Sequence, residues 1–339
     1  MAVAEETGAQ ARVAAKARRP VARWRGEDSW GRSAWTRGRV LAALALLTGG
    51  LLAFPGAVPN TPGRLGSLLE SLLPWLGLVI VVLLGLAALR RSATALLALL
   101  LPVVAWTALF GGLLWPARAG DPDLVVVQHN VSDENADPAA TARALAEAGP
   151  DLIALQELLP SALPVYQEEL AARYPYHEVR GTVGLWSVHP LSDTRIVDIK
   201  PRDIEEYWSR GMRTVVHTPH GEVAAYVAHL PSVRLGTGGF ASARRDESAG
   251  RLARAIAAEE LPRVVLLGDL NGTVEDRGLA PLTDRLNVPE RGFALSFPAA
   301  FPVARIDQVM ARSGTVSRVH TLPALGSDHL PVVAHLRWE

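Results

Sequence analysis

The sequence predicts an α+β protein, a sandwich of two mixed β-sheets preceded by three transmembrane helices. Three observations carry this expectation. Long uncharged apolar runs crowd the first third of the chain, the remainder alternates strand-like runs with amphipathic helices, and several strands end abruptly in Asn, Gln, Glu, Asp or His. The 339 residues are 49% AVILMFWYC. Counting Gly in place of Tyr raises the apolar share to about 56%, above the roughly 45–50% of soluble chains. Mean hydropathy is +0.17. This composition excludes a disordered, collagen-like or disulfide-framework chain. With no Cys, any metal must be held by oxygen or imidazole.

The apolar surplus lies in Val40 to Phe54, Ser71 to Leu89 and Ser92 to Ala117, none of which carries a charge. At about 1.5 Å per residue the last two approach or cross a ~30 Å hydrocarbon core. The first stops at Pro55 after about 22 Å and needs snorkelling by Arg37 and Arg39 or a locally thinned bilayer. A cleaved signal peptide fits less well, because the first run starts late and two more follow. Residues 1–39 carry nine basic and four acidic groups, and Arg90-Arg91 fill the turn between the second and third runs. The positive-inside rule puts both segments in the cytoplasm and delivers the rest of the chain to the outer side. The expected organisation is a basic, disordered cytoplasmic tail over 1–39, a three-helix anchor in the plasma membrane over 40–117 and an extracytoplasmic domain over 118–339. The tail reads as a positive-inside signal in preference to a nucleic-acid or lipid binder.

In the outer part, Asp123 to Val131 is a β-branched run suited to a buried strand, and Asp137-Pro138 opens an Ala-rich helix to Ala148. A second buried strand, Asp151 to Gln156, is followed by a helix near Ser161 to Arg173. Further strands are expected at Thr182–Val188, Arg195–Ile199, Arg213–His217 and Glu222–His229, several with half-buried alternation. Gly236 to Gly239 reads as a flexible loop and Ala241 to Glu260 as an amphipathic helix. Strands then follow at Arg263–Gly268, Arg305–Ala311, Val316–Thr321 and Val332–Arg337. Early βαβ units followed by many strands indicate the mixed-sheet sandwich. Neither a phosphate-cradling glycine loop nor a complete nucleophile elbow is present.

Five stretches share one feature: Gln128-His129-Asn130, Gln156-Glu157, Ala228-His229, Gly268-Asp269-Leu270-Asn271 and Ser327-Asp328-His329 each end an apolar run in groups that a core does not tolerate unpaired. Strands can bring such groups to one rim. Their order, with Arg305-Ile-Asp307 before the last and GDLN about 60 residues ahead of SDHLP, resembles the signature of the endonuclease/exonuclease/phosphatase superfamily, over roughly Asp123 to Trp338. The three spans with an outer domain resemble its actinobacterial membrane branch, related to the teicoplanin-resistance protein VanJ.

The resemblance implies a four-layer α/β/β/α sandwich and a hydrolase of phosphoric esters or pyrophosphates. It makes Glu157 the principal ligand of Mg²⁺, with Mn²⁺ as an alternative, and places Asn130 and Asp328 close to the metal. Asp269 matches the residue that orients or deprotonates the attacking water, and Asn271 the one that holds it or a phosphate oxygen. His229 and His329 match the histidines facing the phosphate, and Asp307 the carboxylate that fixes the His329 tautomer. Either Arg210 or Arg213 is expected at the phosphate. Such chemistry needs a hard cation, an activated water and stabilisation of the transferring group.

The zero net charge divides into +5 over the tail, +2 around the spans and −7 over the outer domain. An acidic domain gains little from counterion release on long nucleic acid. A tether of about eight residues after Trp115, at most ~28 Å extended, keeps the site near the bilayer. The expected partners are the bilayer and a phosphorylated lipid, with undecaprenyl pyrophosphate the leading substrate. A surface-anchored nuclease and a non-catalytic binding or resistance module are the alternatives.

Overall fold

The computed structural model describes residues 38–61, 63–115 and 120–339; the basic tail to Arg37 lies outside them. Residues 120–339 form a sandwich of two mixed sheets. The first has six strands in the order β12-β13-β1-β2-β4-β3 and the second five in the order β11-β10-β7-β6-β5. In chain order these are β1 Leu124–Asn130, β2 Leu152–Gln156, β3 Tyr176–Arg180, β4 Val183–Ser187, β5 Leu191–Ile196, β6 Gly211–Thr218, β7 Gly221–His229, β10 Val264–Asp269, β11 Asp307–Arg312, β12 Gly314–Thr321 and β13 Val332–Trp338. The expected flexible loop at 236–239 is a small hairpin, β8 Leu235–Gly236 and β9 Gly239–Phe240.

Three apolar layers hold this part together. Leu124, Leu152, Val227 and Leu267 pack between the sheets. Val127, Leu155 and Trp186 pack the outer face of the first sheet under helices α5 Pro138–Glu147 and α6 Leu163–Leu170. Tyr226, Leu266 and Leu252 seal the second sheet under α7 Ala243–Ala257 and the short α8 Ala280–Thr283. The order is helix, sheet, sheet, helix. Each fully buried Leu, Val or Ile contributes about 1.5–3 kcal/mol. Asp137 caps α5 by accepting from Ala140 N at 2.9 Å, as the Asp-Pro pair predicted.

The first third is helical, with α1 Arg39–Ala53, α2 Leu65–Ser71, α3 Leu73–Leu89 and α4 Ala93–Leu114. Among the described residues α4 alone is by itself long and apolar enough to cross a hydrocarbon core. The second expected span is part of a broken helix in which α2 and α3 meet at 61°. The first, α1, ends after 15 residues, where Phe54-Pro55 stops it. The segment between the first two apolar runs contains most of α2, which docks on the sandwich. Arg277 donates to Glu70 through Nε (2.8 Å) and its backbone N (2.9 Å), Trp75 Nε1 donates to Val303 O at 2.7 Å, and Arg64 pairs with Asp246.

Candidate active site

Strand register explains how the rim is assembled. The parallel pair β1 and β2 aligns Asn130 with Gln156, so Glu157 follows at the strand exit. The parallel pair β7 and β10 aligns His229 with Asp269, and antiparallel β11 sets Asp307 opposite Asp269. The carboxyl ends of both parallel pairs thus face one rim, where open sheets gather ligands. The loop from β12 to β13 supplies Ser327, Asp328 and His329. It is tied to β1 by Ser327 Oγ donating to Asn130 O (2.7 Å), and His329 N donates to Ser327 Oγ (3.0 Å).

Glu157 and Asn271 both adopt left-handed backbone, with φ of 59° and 48°. Such conformations in non-glycine residues cost energy and are concentrated at functional sites. For Asn271 the cost is offset locally. Its side chain donates to Leu230 O (2.9 Å) and Asp269 Oδ2 (3.2 Å), and its backbone N donates to Asp269 Oδ1 (2.9 Å). Behind it, the fully buried Arg245 donates to Asn271 O (3.1 Å) and pairs with buried Asp276.

Seven of the eight expected residues form one connected cluster. Asn130 Nδ2 donates to Glu157 Oε1 (3.0 Å) and Asp269 Oδ2 (3.1 Å). His229 Nε2 lies 3.7 Å from Glu157 Oε1 and 3.6 Å from Asp269 Oδ2, and His329 Nε2 lies 3.8 Å from the same Asp269 oxygen. His329 Nδ1 is 2.8 Å from Asp307 Oδ2. The eighth, Asp328, is exposed and lines the same pocket. Among the described residues its carboxylate is hydrogen-bonded to none of the others, although its charge acts on His329.

The two histidines have opposite protonation. Burial disfavours the His329 cation, but Asp307, Asp269 and Asp328 outweigh it and raise the pKa to about 10. His229 is lowered to about 3 by burial, with Arg210 and His329 adding repulsion. Arg210 Nη1 lies 3.4 Å from His229 Nδ1. A guanidinium can only donate, so Nδ1 accepts, and the proton of the neutral ring sits on Nε2, facing Glu157 and Asp269. Asp269, fully buried, is pushed up to about 7 by burial and by Asp307, against the pull of His329.

The structure also separates the two arginines left open by the sequence. Arg213 is buried in a two-pronged pair with Glu259, at 2.8 and 2.9 Å, away from the rim. Arg210 belongs to the site and stacks on Trp208 with 5.2 Å to the ring centroid. Sequence reasoning assigned no role to Gln128, Ser296 or Gln308. Gln128 Nε2 and Ser296 Oγ donate to Asp307 at 2.5 and 2.6 Å, fixing the carboxylate that holds His329. Gln308 Nε2 donates to Gly272 O (3.0 Å) and Arg305 O (2.7 Å), bracing the loop after Asn271. Gln128 could have been found as the inward neighbour of Asn130 on an alternating strand. Ser296 has no local signal.

A pocket of about 390 Å³ opens over the cluster. Glu157, Asp269, Asn271 and His329 form one side, and Leu68 and Ser71 of α2 and Leu72 just after it line another, with Val233, Phe240 and Ile306 adding apolar surface. The α2 wall comes from a segment in which no helix was expected.

An oxygen-rich set around Glu157, Asn130 and Asp269 suits a hard cation such as Mg²⁺. Among the described residues the buried Nε2 of His229 has no hydrogen-bond partner, which suits a donor that meets a ligand oxygen. Asp269, Asp307 and His329 also offer ligand atoms within 4.8 Å of one another. In that trio Asp307 Oδ2 already accepts from Ser296 Oγ at 2.6 Å and lies 2.8 Å from His329 Nδ1, whereas the Glu157 side offers oxygens that face the pocket.

This sandwich, with carboxylates, amides and two histidines at one rim, is a phosphohydrolase- or nuclease-like fold. The chain belongs to the Endonuclease/Exonuclease/phosphatase family, whose model matches residues 127–329, more than half of the chain. The same fold occurs in an endonuclease/exonuclease/phosphatase from Bacteroides vulgatus (17% identity, 64% of this chain and 99% of that chain, TM-score 0.52). It occurs also in a family protein from Bacteroides thetaiotaomicron (17%, 64% and 98%, 0.52) and in beta toxin from Staphylococcus aureus (13%, 62% and 99%, 0.51). No curated protein sequence matches the chain significantly.

Proposed function

We propose that this protein is a membrane-anchored, metal-dependent phosphohydrolase of the outer membrane face, acting on a lipid-linked phosphate or pyrophosphate such as undecaprenyl pyrophosphate. The observation that carries this reading is the pocket itself. Its phosphate-handling residues share one chamber with apolar side chains of α2, the helix that continues into the apolar first third.

The surface of that third supports the membrane location. Most of the exposed large apolar side chains lie between Val40 and Trp115, with Val81 and Val104 about two-thirds exposed, at 64% and 65%. Helices apolar all round belong in a core or a membrane, and these are not in a core. Arg90-Arg91 at the far end of α3 and α4 then sets the sandwich outside. This is the topology expected of the VanJ-like branch.

A bound Mg²⁺ or Mn²⁺ would neutralise charge developing on the phosphoryl oxygens; Glu157 and Asn130 would hold it, with Asp328 at the pocket edge. Asp269, steadied by Asn130 and Asn271, accepts the proton of the attacking water. Cationic His329, held by Asp307, stabilises negative charge on the transferring group. Neutral His229 donates from Nε2 to a phosphate oxygen, and Arg210 supplies charge behind it.

A substrate panel tests the reading: undecaprenyl pyrophosphate, plasmid DNA and a soluble phosphomonoester, each with full-length protein and Mg²⁺. Preferential phosphate release from the lipid supports it. Degradation of DNA without lipid turnover would replace it with a surface nuclease.

A further inference from the structure

The catalytic pocket does not end at α2. Ser71, Thr273 and Ala304 line both that pocket and a narrow neck of about 20 Å³ behind it. Pro74, Phe293 and Leu295 line both the neck and a groove of about 470 Å³. The groove runs between α3 and α4, walled by Leu78, Val81, Val103 and Trp106, and is closed against the sandwich by Phe293 and Leu295. Among its lining residues Thr107 alone carries a hydroxyl. Both chambers lie in the range of roughly 300–1,000 Å³ that ligand sites occupy. The neck has room for one or two water-sized groups, so a hydrocarbon chain would pass in single file.

We propose that the groove between α3 and α4 is the substrate's chain site: the phosphate end of a long-chain phosphoester sits at Asp269 and His329 while its hydrocarbon passes the neck and lies against α3 and α4. The proposal rests on the lipid-phosphate reading above and adds where the chain goes. Adjacency argues for this occupant, since the polar chamber and the apolar groove each share three lining residues with the neck between them. The 61° break between α2 and α3 also gains a purpose, because it aims α2 at the pocket while leaving α3 to form the groove.

The test uses full-length protein in lipid nanodiscs and two readouts. In the first, Trp75 and Trp106 border the groove, so a brominated C16 alkyl phosphate should quench tryptophan fluorescence at concentrations where the same brominated chain as an alcohol does not. Trp106→Phe should remove part of that difference. In the second, Val81→Phe with Val103→Phe fills the groove at exposed positions. It should raise KM for hexadecyl phosphate about tenfold while leaving turnover of a soluble butyl phosphate unchanged, the pattern of lost uniform binding. Retained butyl phosphate turnover also shows that the double variant folds. Equal effects on both esters, or no effect on either, would overturn the chain site, as would equal quenching by phosphate and alcohol. If the wild type hydrolyses neither ester, the phosphohydrolase reading fails, and the quenching comparison still decides whether the groove takes the chain.

Discussion

Oδ2 of Asp307 lies 2.8 Å from Nδ1 of His329, and this contact converts a loop histidine into a buried cation. The carboxylate is itself fixed by Gln128 and Ser296, so the imidazole has one orientation. Asp307→Asn removes the charge and keeps the shape. His329 should then lose its proton well below pH 10, because the raised pKa depends on that carboxylate. The alkaline limb of the kcat/KM profile should move toward acid, and the rate at neutral pH should fall about 10²- to 10⁴-fold. An unchanged limb would remove His329 from the reaction.

Arg210 and Arg213 are three residues apart on and before β6 and should behave oppositely. Arg210→Ala frees His229 Nδ1 and should slow turnover about 100-fold with little change in the unfolding midpoint. Arg213→Ala strips buried Glu259 of its two-pronged partner, leaving Arg195 at 3.8 Å as its ion-pair partner, and should cost about 3 kcal/mol of stability. Chemical denaturation and initial rates on the two variants separate these effects.

Glu259 gives the acid-side behaviour. Burial opposes its charge, yet Arg213, the Leu261 N–H and Tyr226 outweigh burial and hold the pKa at about 2. A depressed acid pKa stabilises the fold above the unfolded value and loses that contribution as pH falls through the folded one. Stability should therefore decline from about pH 4.5 toward about pH 2, and Glu259→Gln should flatten that decline. Thermal unfolding at intervals of half a pH unit measures both.

The docking of α2 is also open to test. Glu70 is buried against Arg277, and Arg277→Ala leaves its carboxylate unpaired. Protease cutting within residues 55–72 should then become faster, and KM for a long-chain phosphate should rise. Equal cutting in both proteins would mean that α2 is held by other contacts.

The sandwich was legible because apolar strand runs end in polar groups. Asn130, Gln156, Asp269 and His229 announce the rim by standing where a core would refuse them. Strand β3 escaped because, as an edge strand pairing only with β4, it is half exposed and lacks alternation. Helix α2 escaped because its docking depends on partners about 200 residues away, Glu70 with Arg277 and Arg64 with Asp246. The positive φ of Glu157 is likewise imposed by the cluster and not by local preference, since Glu rarely adopts it. The second expected span, Ser71 to Leu89, is nearly all α3, and the 61° bend falls at its start, where α2 docks on the sandwich.

The most direct test compares orthophosphate release from undecaprenyl pyrophosphate by the full-length protein and by Glu157→Ala, each with Mg²⁺ and with excess chelator. Release by the wild type that requires the metal and falls at least about 100-fold in the variant is the expected result. Metal-independent release, or equal release by both proteins, would contradict the account.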